Sequence, residues 1–132
     1  MLLITLALVL GFDFWGQNQL QTMASEGLTL TEQAYAAVQR EDWEGAREAA
    51  ARLQKDYLDK ETLLSILVAH DQIELIQSAV LHFSTVANRE DKTLALMEID
   101  TLRQEYTNLT DHVAVNWKNI IAAPPTIPLL PL

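Results

Sequence analysis

The chain has 132 residues, 49% of them hydrophobic, with eighteen Asp and Glu against nine Lys and Arg, a net charge of −9 and no Cys. That length suits one small domain with a real core. The sequence shows no basic stripe of the kind that binds nucleic acid, and the acidic balance disfavours electrostatic binding to anionic lipid headgroups. The lack of Cys excludes disulfides, thiolate catalysis and Cys-ligated zinc.

Met1 to Trp15 opens with Leu2–Leu10, interrupted only by Thr5, and continues with Gly11, Phe12, Asp13, Phe14 and Trp15. Three readings stand for residues 1–16. The leading one is a single-pass membrane anchor that enters the bilayer through Leu2 to Trp15, with aromatic rings at the interface. The second is the apolar region of a cleaved signal peptide, with Thr22-Met23-Ala24 as a poor cleavage site. The third is a buried helix start. The continuous apolar run is short beside the ~20 residues that a span requires. No Lys or Arg precedes Arg40, and Asp13 is unfavourable deep in lipid.

Residues 17–121 read as a helical domain. Leu20, Met23, Leu30, Ala34 and Val38 mark one helix face. Gly27 is a weak point in it, and Thr29 with Glu32 has capping-box spacing, so the helix either restarts there or runs through. Glu41-Asp42 is a turn with Asp42 as N-cap. The next helix, Trp43 to about Leu58, turns Ala46, Ala50, Leu53 and Tyr57 inward. A long apolar run, Leu63 to Ala87, contains neither Gly nor Pro and predicts one central helix, capped by Asp59 and ending near Asn88. Asp91 caps a last helix with Ala95, Ile99, Leu102, Tyr106, Leu109 and Val113 as its seam. Residues 122–132 hold Pro124, Pro125, Pro128 and Pro131 among apolar residues and cannot be helix.

An internal repeat links the two halves. Arg40-Glu41-Asp42 recurs as Arg89-Glu90-Asp91, and at the same offset Ala46 matches Ala95, Leu53 matches Leu102 and Tyr57 matches Tyr106. A hairpin cannot bury its apolar face alone, so two must pack together. The predicted fold is all-α: an antiparallel bundle of two helix hairpins, with an N-terminal membrane-anchor helix and a Pro-rich tail.

Signals for chemistry are few. His70 and Glu74 share a helix face, but a metal site needs three or four converging ligands. His70 is expected instead to form a structural polar pair with Glu98. No nucleophile elbow, phosphate loop or dinucleotide fingerprint occurs, so no catalytic residue, metal or cofactor is assigned. Trp43 and Trp117 lie at element ends and are candidate partner contacts. Pro124, Pro125, Leu129 and Leu130 are further candidates, in a tail that either lies on a groove or hangs loose.

Several of these residues carry a family resemblance. Glu41-Asp42-Trp43-Glu44 with Ala46, then His70, Ile73 and Glu74, then Lys92, Leu94-Ala95-Leu96, Glu98-Ile99 and Leu102, and finally Asn116, Lys118, Asn119 and Ile120 resemble domain-of-unknown-function family 4363. The resemblance implies a small bacterial helical protein with one N-terminal membrane segment and supplies no activity. The apolar run is shorter than such an anchor, and the Pro-rich tail falls outside the pattern. The expected function is a membrane-tethered interaction or assembly module, its helical domain extracytoplasmic, its partner a membrane protein or a second copy. The alternative is a soluble helical adaptor or oligomerising protein whose first fifteen residues belong to a core or an interface.

Overall fold

The computed structural model describes the backbone of residues 1–121 and the side chains of residues 1–111. It is all-helical over that range: α1 (Leu2–Gln39), α2 (Trp43–Asp59), α3 (Glu61–Leu67), α4 (His70–Asn88) and α5 (Lys92–Ile121). α1 packs against α2 and α5, and α4 packs against the same two. The four long helices therefore form a square with α1 and α4 on one diagonal. Neighbours run antiparallel. Arg103 of α5 meets Glu32 of α1, and Lys92 Nζ, one turn from the hairpin, donates to the Gln39 carbonyl at 3.3 Å.

The repeat is structural as well as sequential. In both turns a Glu takes the left-handed conformation, Glu41 with φ 57° and Glu90 with φ 56°. In both, the following Asp caps the next helix: Asp42 Oδ1 accepts from Gly45 N and Asp91 Oδ1 from Leu94 N, each at 3.0 Å. An exposed Glu tolerates this backbone at modest cost, and the two caps offset it. The turns adjoin, and Arg47 bridges to Glu90 at 3.4 Å.

Burial follows the same offset. Ala24, Gly27, Thr31, Ala34, Ala37 and Val38 are the buried positions that correspond to Ile73, Ile76, Val80, Phe83, Val86 and Ala87. Ala46, Ala50, Leu53 and Tyr57 correspond to Ala95, Ile99, Leu102 and Tyr106, all buried. At four of these six pairs, Ala24/Ile73, Gly27/Ile76, Ala34/Phe83 and Ala37/Val86, the α1 side chain is the smaller. Small residues let α1 approach its neighbours, and the bulky face of α4 fills the opposite side of the core.

Two expectations are corrected. The central helix predicted over Leu63–Ala87 is broken: α3 ends at Leu67, Val68 and Ala69 are extended, and α4 begins at His70. No Gly, Pro or side-chain cap marks the break. It exists because the chain must reverse between α2 and α4 while still burying Leu64 and Val68. Ile66, which a single unbroken helix would align with Ile73, Ile76, Val80 and Phe83, is exposed as a result. Asp59 does not cap that helix either; it is the last residue of α2 and accepts from Lys55 Nζ at 2.8 Å. In α1 the helix runs through Gly27 without restarting, and Thr29 Oγ1 donates to the Ser25 carbonyl.

Gly27 is required by packing. A Cβ there would run into the Tyr106 ring, whose Cε1, Cδ1 and Cζ lie against the glycine. Gly27→Ala at an exposed helix site would stabilise by up to ~1 kcal/mol through helix propensity. Here it should destabilise by roughly 1–3 kcal/mol through overpacking, read by urea denaturation. A neutral or stabilising result would put Tyr106 elsewhere.

Candidate functional site

The apolar end of α1 is the most unusual surface of the molecule. Every residue from Met1 to Trp15 is exposed, including Leu3 at 81% and Trp15 at 51%. Burial begins at Gly16, against the Leu67 side chain, and continues through Leu20, Met23 and Ala24. The first fifteen residues thus project from the bundle as a continuation of one unbroken helix. Soluble monomers rarely expose an apolar surface this continuous unless it binds something. The Phe12 and Trp15 rings lie 6.1 Å apart, tilted by 40°, near the root of the projection. The expected single-pass span is not supported: no described helix is long and apolar enough to cross a membrane. Asp13 ends the apolar run, and the polar residues after Gly16 already belong to the bundle.

Polar groups gather in one groove of about 410 Å³ between α1 and α2, lined by Ser25, Glu26, Thr29, Leu30, Asp56 and Asp59 among others. Asp56 is half-buried, and its Oδ2 has no hydrogen-bond donor. Burial first, then the neighbouring Glu26 carboxylate, push its carboxyl above the ordinary range, against the pull of Lys60. Behind it lies Tyr106, fully buried, its hydroxyl also without a partner. Burial and then Asp56 drive that hydroxyl's pKa upward, so it stays neutral. The cations here are engaged: Lys55 with Asp59 at 2.8 Å, Arg52 with Glu48 at 3.0 Å, and Lys60 with Gln19 Oε1 at 3.1 Å. The groove offers acceptors without a nucleophile–base pair. Among the described residues no three His, Asp or Glu side chains converge to hold a metal.

The other predicted residues fall as follows. His70 and Glu98 do not pair. His70 Nε2 lies 3.0 Å from Glu74 Oε1, and Glu98 faces His82 at 3.9 Å. The reason is hairpin register: residues equidistant from the Arg89–Asp91 turn face each other, which matches Glu98 with His82. His70 lies at the far end of α4. Trp43 is half-buried and packs against the core at the turn end of the bundle, with part of its ring left accessible. Trp117 lies within α5, its side chain outside the described range, and Pro124, Pro125, Leu129 and Leu130 lie outside the described residues.

Sequence reasoning missed the Glu26–Asp56–Tyr106 cluster. It also missed the Arg103 fork, which grips Glu32 at 2.7 and 3.2 Å with its guanidinium 5.3 Å from the Tyr35 ring centroid. The one available signal for the cluster was the repeat, which pairs Gly27 with Ile76 and so marks a hole beside a tyrosine.

The profile of the DUF4363 family, described as a domain of unknown function, matches residues 14–120. The chain belongs to that family. No curated protein and no solved structure shows significant similarity to it.

The raised Asp56 carboxyl has a consequence for stability. The folded chain holds this proton to higher pH than the unfolded chain does. Its contribution is therefore intact below the ordinary carboxylate value of ~3.9 and is lost as pH rises through the folded value. Asp56→Asn should raise stability at pH 7, by no more than ~1 kcal/mol because water screens a half-exposed group. The gain should shrink toward pH 4 in thermal melts, and a gain independent of pH would contradict the assignment. Tyr106→Phe, which removes a buried hydroxyl without a partner, should leave stability unchanged or raise it by ~1 kcal/mol.

Proposed function

We propose that the protein is a non-catalytic, membrane-tethered helical binding module, with α1 as the tether and the bundle as the presented body. One observation carries the reading: the apolar end of α1, Leu2 to Trp15, projects exposed from an otherwise acidic bundle. Water is a poor solvent for that surface, and burying it in hydrocarbon or in a partner is strongly favourable. Leu2–Phe12 would enter lipid, while Asp13, Phe14 and Trp15 would lie at headgroup level, where a carboxylate and aromatic rings are tolerated. No described helix is by itself long and apolar enough to cross a membrane. An extracytoplasmic body is favoured by the lack of Lys and Arg before Arg40, since basic residues near a membrane segment are retained inside. The binding partner is a membrane protein or a second copy, which the exposed edge of Trp43 could help to meet.

The same apolar surface supports one second reading, a soluble oligomer whose α1 ends pair with each other. Alkaline carbonate extraction of cells that carry the full-length chain with a C-terminal tag separates the two. The tether reading expects the tag in the membrane pellet and removal of it by protease added to intact protoplasts. A protease-protected protein that washes into the supernatant would sink the tether, and light scattering should then find an oligomer.

A further inference from the structure

We infer that α3 is a second lipid-contacting element, seating the lower end of the bundle on the bilayer interface beside the α1 tether. The inference rests on the membrane-tether reading of α1. Its starting point is register. The Leu67 side chain lies against Gly16, 2.7 Å from where a Cβ would stand, and Lys60 Nζ reaches Gln19 Oε1 at 3.1 Å. α3 therefore lies beside residues 16–19 of α1, one residue above the exposed Trp15. At 1.5 Å per residue, Phe12 is only ~6 Å further along the axis from Gly16.

The connection between α2 and α4 makes α3 the floor of the bundle at the end from which α1 projects. Its inner face is committed to the core through Leu64, with Leu67 packed against the same cluster. Its outer face shows Glu61 at its start and then Thr62, Ser65 and Ile66, and Ile66 is 61% exposed. Thr62 to Ala69 contains no charged residue, while Asp59, Lys60 and Glu61 flank it on one side and His70 and Asp71 on the other. An apolar residue among hydroxyls, with charges at the margins, suits the headgroup boundary.

Continuity of α1 supplies the coupling. The tether and the body share one helix, Leu2–Gln39, with no intervening linker. The direction in which the tether enters thus sets the direction of the bundle, and a membrane plane at Trp15 passes next to the Gly16–Leu67 contact, with Ile66 adjacent to Leu67 in the chain. The net charge of −9 selects the lipid: a zwitterionic interface accepts this floor, whereas anionic headgroups repel the body above it.

The absence of Cys allows the test to be made on the full chain with single labels. Phe12→Cys, Ile66→Cys and Leu94→Cys would each carry an environment-sensitive nitrobenzoxadiazole dye, on protein bound to phosphatidylcholine vesicles. All three positions are exposed, so the fold should survive, and Leu94 beside the opposite turn reports a site away from lipid. The expected result is a blue shift, quenching by spin-labelled lipid and loss of iodide quenching at Phe12 and Ile66, with Leu94 open to iodide. Lipid quenching at Phe12 with Ile66 as open to iodide as Leu94 overturns the floor contact and leaves the tether standing. Shielding of Ile66 from iodide without lipid quenching overturns it in favour of a protein cover. A Phe12 label open to iodide overturns the tether reading itself.

Discussion

The bundle closes through the contact between α1 and α5, helices that are not consecutive in the chain, and that contact turns on a missing side chain. Gly27 leaves room for the whole ring of Tyr106, the largest fully buried side chain among the described residues. With the ring seated, the two helices come close enough for Arg103 to grip Glu32 and for Lys92 to reach the end of α1. The ion pair is partly exposed and contributes little by itself. The apolar burial beneath it sets the distance, and the polar contacts fix the register. A side effect is the stranded Tyr106 hydroxyl beside Asp56. Its burial is the cost of filling that space with a tyrosine instead of a phenylalanine.

The duplicated hairpin shows where the molecule departs from symmetry. Turns, caps and buried positions repeat from one half to the other, yet the first helices of the two hairpins differ. α4 begins at His70, the counterpart of Gln21, whereas α1 continues for another nineteen residues toward its N-terminus. In the second hairpin the chain at that point turns aside into α3. Both departures fall at the same end of the bundle. One half extends an apolar helix there, and the other lays a short helix across the floor. The repeated part makes a stable body, and the unrepeated part makes the surface that calls for a function.

The rest of the described surface is dominated by ion pairs and by one acidic groove. Arg52 with Glu48 and Lys55 with Asp59 are exposed pairs within one helix, and Arg47–Glu90 and Arg103–Glu32 are exposed or partly exposed pairs that join elements of the bundle. The groove between α1 and α2 holds the Glu26 and Asp56 carboxyls without a nucleophile–base pair. The net charge of −9 opposes non-specific association of the bodies through mutual repulsion.

The sequence by itself determined the helical class, the two capped Arg-Glu-Asp turns, the inward faces of α2 and α5 and the exceptional character of Leu2–Trp15. Each is a local matter of periodicity, of a side chain reaching its own backbone, or of composition. Only the tertiary structure decided the break at Val68–Ala69, the partners of His70 and Glu98, and the meeting of Gly27, Tyr106 and Asp56. The break has no local stop signal; it follows from reversing the chain while keeping Leu64 and Val68 buried. The histidine pairings depend on hairpin register, which periodicity within one helix does not specify. The Gly27–Tyr106 contact joins residues from distant parts of the chain, and it exists only because the antiparallel neighbours bring a gap and a ring to the same height.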